Sequence, residues 1–345
     1  MTKRVTLRDV ALEAGVHVST ASRALNEDAS YVVHPETIAR VLDVAEELGY
    51  SPNPLAKGLR TNRSMTIGMV ISDIENPLFG PIIAGVEATA GSKGYSTLIV
   101  EAAEPDHTAL SPVVNALVDR RVDGMILAMA TRTGENAAHL KNLNVPVVLV
   151  NRAIDGASFA AIVGDDHHGI GLAVNHLAEL GHTRIGHLAG PQETSTGLNR
   201  LRGFESHMDN LGLDHGPEVV VEAEWYQIEP GFKAAATLLD MRPDLTGLVA
   251  ANDLIALGAY HAIRDRGLEV GFDISVTGYN DMMLLDMIQP SLTSIRVPYR
   301  EMGSEAAEVL LEMMAPTDGD IGEPKRMLRP TLSARESTQP VRVAG

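Results

Sequence analysis

Two groups of residues in this sequence have the types and spacing that recognition chemistry needs. The first lies in the run TLRDVALEAGVHVSTASRALN, residues 6–26, where Thr6, Val18, Ser19, Thr20, Ser22 and Arg23 gather small hydroxyls around one guanidinium. Such side chains suit phosphate oxygens and the edges of bases. The second is a set of polar and aromatic residues that each follow an apolar run. They are Ser72-Asp73-Ile74-Glu75-Asn76-Pro77 leading to Phe79, Asn151-Arg152, Asp165-Asp166-His167-His168, Asn199-Arg200, Trp225-Tyr226, Asn252-Asp253 and Asn280-Asp281. Polar groups at the carboxyl ends of buried strands are where an α/β protein holds a small ligand.

Other chemistries are poorly served. The Asp165–His168 cluster has metal-binding residue types, but neighbours on one turn rarely converge on an ion without further donors. Gly169-Ile170-Gly171 opens like a dinucleotide fingerprint, yet Val174 stands where the third glycine belongs. There is no Walker loop, no G-x-S-x-G elbow, and no carboxylate pair that can be singled out for glycoside hydrolysis. The expectation is a protein that is not an enzyme, with no cofactor and no metal.

The elements that would position the first group are short helices. Leu7, Val10, Ala11 and Ala14 recur at i, i+3, i+4 and i+7 and mark one helical face. Gly15 breaks the pattern, and Ala21, Ala24 and Leu25 supply the buried side of a second helix. Two helices joined by so tight a turn form either a helix-turn-helix, whose second helix fits the DNA major groove, or an ordinary helical hairpin. In the former case Val18 and Ser19 face base edges, while Thr6, Thr20, Ser22 and Arg23 reach phosphates or bases. A third helix is predicted from Pro35 to Leu48, with Ile38, Val41, Leu42, Ala45 and Leu48 as its apolar stripe.

The run resembles the DNA-binding headpiece of the LacI/GalR family of bacterial transcription regulators. The matching pieces are Thr6-Leu7, Asp9-Val10-Ala11, Ala14-Gly15-Val16, Thr20, Ser22-Arg23, Leu25-Asn26, Glu47-Leu48-Gly49-Tyr50 and Pro52-Asn53. The resemblance favours the helix-turn-helix and implies contact with double-stranded, palindromic operator DNA through Thr6, Leu7, His17, Val18, Ser19, Thr20, Ser22, Arg23 and Asn26. It implies a hinge helix carrying Asn53, Ala56 and Leu59, with Leu59 wedged between base pairs in the minor groove. An apolar wedge of that kind unstacks one step and lets the bent duplex touch more protein. His17 and His34 stand where the family usually places a capping serine, and histidine is expected to cap less well.

Charge is divided in the same way. The chain of 345 residues has 28 Lys+Arg and 45 Asp+Glu, and residues 1–63 carry eight of each. The whole net charge of −17 therefore falls behind the headpiece, where an acidic body would help confine DNA to the amino-terminal residues. No run of 18 apolar residues predicts a membrane span, and no export signal opens the chain, so the cytoplasm is the expected compartment. The absence of cysteine excludes disulfides.

From Met65 the period changes. Apolar runs at Thr66–Ile71, Ser96–Val100, Gly124–Ala128, Val145–Val150, Ala160–Val163, Ile185–Ala189, Leu248–Ala251 and Ile274–Gly278 alternate with helical patterns such as Phe79–Lys93, Ser111–Arg120, Gly169–Leu180, Leu198–Leu211, Gly231–Leu239 and Ala256–Arg266. That alternation predicts a doubly wound α/β architecture, and eight strands are too many for one simple lobe. The resemblance extends here to a two-lobed, periplasmic-binding-protein-like domain with two parallel sheets. The expected organisation is a headpiece at 1–50, a hinge and linker at 51–64, and an effector-binding and dimerisation domain at 65–340. Lobe 1 is expected at about 65–162 and 293–325, lobe 2 at about 163–292 and 326–340.

The resemblance implies a small-molecule effector, a sugar or sugar-derived metabolite, held between the lobes. Arg200, Trp225, Asn252 and Asp253 match the family's contact positions, and Asp73, Asn76, Phe79, Arg152 and Asn280 join them. Asn280 departs from the aspartate of several relatives and offers an amide instead of a charge. Asp281 is expected to be structural and Arg202 to face solvent. The apolar run Met282-Met283-Leu284-Leu285, with Met287-Ile288, and the helix over 77–93 are where a homodimer would pack.

Overall fold

The computed structural model describes residues 5–25, 33–50, 63–102, 110–132, 137–315 and 324–341. The chain divides into two compact units, Met1–Ser64 and Met65–Gly345. Among the described residues no helix is long and apolar enough to cross a membrane.

Among its described residues the first unit holds three helices, α1 (Leu7–Glu13), α2 (Val18–Ala24) and α3 (Pro35–Glu47). Thr6 opens α1 with a capping box: its Oγ1 accepts from Asp9 N, and Asp9 Oδ2 accepts from Thr6 N at 2.8 Å. Gly15 turns the chain at φ +65°, a conformation that favours glycine. α2 is capped by His17, whose Nδ1 accepts from Ser19 N at 3.3 Å and lies 2.8 Å from Ser19 Oγ. The expectation that both histidines cap poorly is thus corrected for His17. It holds for His34, which makes no cap bond and leaves the start of α3 to Pro35. Val10, Ala11, Ala14, Ala21, Ala24, Val41 and Ala45 form the buried core. Leu42, assigned to the stripe of α3, is instead 49% exposed, because the helix turns that position away from α1 and α2.

The second unit contains two six-stranded sheets. Lobe 1 carries β1 (Thr66–Ile71), β2 (Ser96–Glu101), β3 (Gly124–Leu127), β4 (Val147–Val150), β5 (Ala160–Gly164) and β11 (Lys325–Leu328), all parallel, in the order β2-β1-β3-β4-β5-β11. Lobe 2 carries β6 (Ile185–Ala189), β7 (Val220–Glu222), β8 (Gly247–Ala250), β9 (Ser275–Asn280), β10 (Thr293–Arg296) and β12 (Thr331–Ser333). Its order is β7-β6-β8-β9-β10-β12, parallel except for the β10–β12 pair. The helices are α4 (Phe79–Ser92), α5 (Leu110–Asp119), α6 (Ala137–Lys141), α7 (Asp166–Glu179), α8 (Ser195–Asn210), α9 (Ile228–Met241), α10 (Asp253–Asp265) and α11 (Tyr299–Met314).

The inner strands of lobe 1 bury both faces. Along β1, Ile67, Met69 and Ile71 join one core cluster and Val70 another, and β3, β4 and β5 alternate likewise. Helices cover each side, as a parallel sheet requires. On one side α4 and α11 pack backbone against backbone: a Cβ at Gly303 would stand 2.1 Å from Ile82 O, and one at Gly85 2.0 Å from Arg300 O.

Two lobe boundaries shift from those expected. β10 extends the second sheet beside β9, so the chain returns to lobe 1 only after Arg296, not before Thr293. β11 pairs with β5 at the edge of the first sheet, so the last crossing follows Leu328 and lies beyond 326.

Candidate functional site

Both sheets have the same inner order, with the first strand flanked by the second and third, and such sheets bind ligands beyond the strand ends where that order reverses. A cavity of about 330 Å³ lies there, lined from both lobes. From lobe 1 come Ser72 and Asp73 at the end of β1, Glu75, Asn76, Leu78 and Phe79 on the way into α4, Glu101 closing β2, and Asn151-Arg152 after β4. From lobe 2 come Thr196 and Arg200 on α8, Trp225-Tyr226-Gln227 after β7, Asn252 before α10, and Asn280 ending β9.

Several of these groups are fixed by local bonds that decide what they offer. Asn76 Oδ1 accepts from Leu78 N at 3.1 Å, and Asn280 Oδ1 accepts from the Tyr299 hydroxyl at 2.7 Å. With each oxygen engaged, both amides keep their NH2 groups as donors. Asn252 caps α10, its Oδ1 accepting from Ile255 N at 2.8 Å. Tyr226 Oη lies 3.0 Å from Thr196 Oγ1, and its ring is 5.9 Å from the Arg152 guanidinium of the opposite lobe. Asn151 and Asn280 adopt φ of +66° and +114°, backbone that aims the chain ends at the cleft.

Arg200 is the most constrained of the set. Its Nε donates to Asp166 Oδ1 at 2.8 Å and one terminal nitrogen donates to Ala251 O at 2.7 Å. Its plane sits 3.8 Å from the centre of the Tyr279 ring. Burial pushes the Asp166 carboxyl up and works against the Arg200 charge. The contact between the opposite charges opposes both tendencies: it raises Arg200 overall, whereas burial still holds Asp166 above its ordinary value.

Eight of the nine sequence-derived cleft residues surround this cavity: Asp73, Asn76, Phe79, Arg152, Arg200, Trp225, Asn252 and Asn280. Asp253 does not. It is wholly buried, accepting from Ser294 Oγ at 2.5 Å and Met282 N at 2.9 Å, and burial pushes its carboxyl up to about 7. It ties the ends of β9 and β10 together and does not cap α10 either. Asp281 is structural as expected, pairing with Arg296 and Arg335, each at 2.7 Å. Arg202 is exposed. The Asp165–His168 cluster is divided by its partners: Asp165 caps α7 through His168 N, and Asp166 holds Arg200.

Leu78, Glu101, Thr196 and Gln227 line the cleft without having been singled out in the sequence. Thr196 carried one usable signal. It lies in the first turn of α8 behind the cap Thr194, whose Oγ1 accepts from Gly197 N at 3.0 Å.

In the headpiece, Val18, Ser19 and Arg23 are exposed on α2 and Thr20 and Ser22 are half-buried. Thr6 and His17 are exposed but serve as caps, and Leu7 packs against the small core. Asn26, Asn53, Ala56 and Leu59 lie outside the described residues.

Comparison with known proteins agrees with this two-part construction. The bacterial regulatory proteins of the lacI family match residues 6–53, and the periplasmic binding protein-like domain matches residues 174–338. The chain is 33% identical over 336 residues to the HTH-type transcriptional repressor CytR of Escherichia coli (strain K12), covering 97% of this chain and 96% of that one. It is 34% identical over 319 residues to the HTH-type transcriptional repressor PurR of Aliivibrio fischeri (strain MJ11), covering 91% and 93%. The lac repressor dimer bound to operator and the anti-inducer ONPF superposes with a TM-score of 0.87 at 30% identity, covering 98% of this chain and 100% of that one. A complex of the regulator CelR with cellobiose superposes with a TM-score of 0.74 at 29% identity, covering 97% and 100%. With a capped helix-turn-helix in front of a two-lobed ligand-binding fold, the chain belongs to the lacI family of bacterial regulatory proteins and is a DNA-binding transcriptional repressor, not an enzyme.

Proposed function

We propose that the chain acts in the cytoplasm as a homodimer on a palindromic operator, and that a sugar or sugar-derived small molecule bound between its lobes sets its affinity for DNA. The observation that carries this reading is the convergence of eight sequence-derived residues from two lobes on one cavity, with Arg200 held rigid and Trp225 also in the lining. Fixed amides and a guanidinium suit hydroxyls, and an aromatic ring suits the apolar face of a sugar. The regulator CelR, solved as a complex with cellobiose, superposes over 97% of this chain.

On the DNA side, Val18, Ser19 and Arg23 form the exposed face of α2 that the major groove would receive, with Thr20 and Ser22 beside them. Thr6 and His17 fix the entry of the two helices, and Leu7, Asn26, Asn53, Ala56 and Leu59 complete the assigned contacts. A single headpiece makes few base contacts, so pairing on a two-fold operator multiplies them. The lac repressor structure that this chain resembles is a dimer on its operator. Met283 at 82%, Leu284 at 64% and Met287 at 73% exposure provide an apolar patch for the partner.

Ligand and operator would then change each other's affinity by the same factor. The test is fluorescence anisotropy of the full chain on DNA selected from random duplexes, with and without a sugar panel. Selection that yields no preferred sequence, or operator affinity that no compound alters, would overturn the reading.

A further inference from the structure

We propose that the ligand of the cleft is an uncharged polyhydroxy compound, and that its phosphorylated and carboxylated derivatives are rejected. This rests on the reading of the cleft as an effector site and adds the charge of what it takes. Arginines in a ligand cleft ordinarily invite an anion, but here the charge of Arg200 is already spent. The Asp166 carboxylate sits 2.8 Å from its Nε, and both side chains are at least 95% buried. One of its two terminal nitrogens goes to a backbone carbonyl. What Arg200 presents to the cleft is a directional donor, not a net cation.

The rest of the lining is acidic. Among the described residues it holds Asp73, Glu75 and Glu101 against the single further cation Arg152. The stretches of this unit that lie between described segments, 103–109, 133–136 and 316–323, contain no lysine or arginine, so the sequence supplies no other counter-charge there. The neutral groups complete the pattern. Asn76 and Asn280 keep their NH2 donors while their oxygens are engaged, and the carboxylates accept. A hydroxyl both donates and accepts and satisfies donors and carboxylates together, whereas a phosphate only accepts and would be forced against Asp73, Glu75 and Glu101.

The test uses the full chain and a panel of aldoses, polyols, disaccharides and nucleosides, each beside its phosphate ester, with uronic acids added. Thermal shift finds the binders and calorimetry measures them. The expected result is that at least one uncharged compound binds and its phosphate ester binds at least about tenfold more weakly. The double variant Glu75→Gln, Glu101→Gln should narrow that gap. A phosphate ester that binds as tightly as its parent, or a gap that the double variant leaves unchanged, overturns the proposal while keeping the effector site. If no member of either series stabilises the protein, the effector reading itself falls and the proposal falls with it.

Discussion

The Tyr299 hydroxyl donates to Asn280 Oδ1 at 2.7 Å, joining the first residue of α11 to the last residue of β9. Tyr299 belongs to lobe 1 and Asn280 to lobe 2, so a residue of the cleft wall is oriented from the other side of a crossing between lobes. Removing the hydroxyl in Tyr299→Phe would leave the amide free to turn. The expected outcome is a loss of about 1 kcal/mol of stability, the usual worth of one buried hydrogen bond. Ligand affinity should change together with it. Urea denaturation and calorimetry on the same variant check both.

Arg23→Ala should weaken operator binding without altering the melting temperature, because Arg23 is exposed. Anisotropy at physiological salt measures it, and unchanged affinity would remove Arg23 from the interface. Leu59→Ala should reduce binding and bending of the selected operator more than binding to random duplex, since a wedge acts only where the groove opens.

His17 makes a sharper case at the start of α2. His17→Ala removes the acceptor for Ser19 N and should cost roughly 1 kcal/mol of helix stability, whereas His17→Ser, a residue favoured at that position, should retain it. Hydrogen exchange over residues 18–21 of the full chain reads the difference.

Two buried groups pull stability in opposite directions with pH. Burial pushes His187 down to about 4, with its Nδ1 held by Val249 O, so the unfolded chain takes up the proton first as pH falls from 6.5. Stability from His187 is therefore lost between about 6.5 and 4. Asp253, pushed up to about 7, does the reverse: the native state takes the proton first, and stability is gained as pH falls from 7. Asp253→Asn should accordingly steepen the loss of stability on acidification, and His187→Leu should relieve it. Urea melts from pH 7 to 4.5 provide the comparison, and equal slopes in both variants would refute it.

Gly303→Val should destabilise lobe 1 by at least about 3 kcal/mol, because its side chain would have to displace the Ile82 carbonyl of α4. Gly91→Ala on the same α4, where nothing lies within 4 Å, should be tolerated or mildly favourable. Thermal denaturation of the pair separates crowding from a general intolerance of the helix.

Much of this architecture was legible in the sequence. All eight apolar runs are strands, among them Thr66–Ile71 and Ile185–Ala189 at the stated limits, because a strand buried on both faces, as most of these are, leaves a mainly apolar word. Four helices begin three residues earlier than their periodicity suggested, at Asp166, Ser195, Ile228 and Asp253. Three of those starts follow caps whose side chains accept from the helix, Asp165, Thr194 and Asn252, and the polar first turns at Asp166 and Ser195 carry no hydrophobic period. The same feature hid Thr196. Strands such as Val220–Glu222 and Thr331–Ser333 are three residues long, too short to announce themselves, and pairing across the chain defines them. Asp253 was misplaced because adjacency to Asn252 says nothing about direction. One residue further along the turn, its carboxylate points into the protein toward Ser294.

The close seat of Gly303 on Ile82 also decides where this molecule can bend. Where Gly85 and Gly303 bring the two backbones together, no side chain cushions α4 against α11, and that seam of lobe 1 has little slack in which to absorb a twist. A swivel between the lobes would therefore fall on the short connections after Gly164, Arg296 and Leu328, with lobe 1 turning on them as one stiff lever.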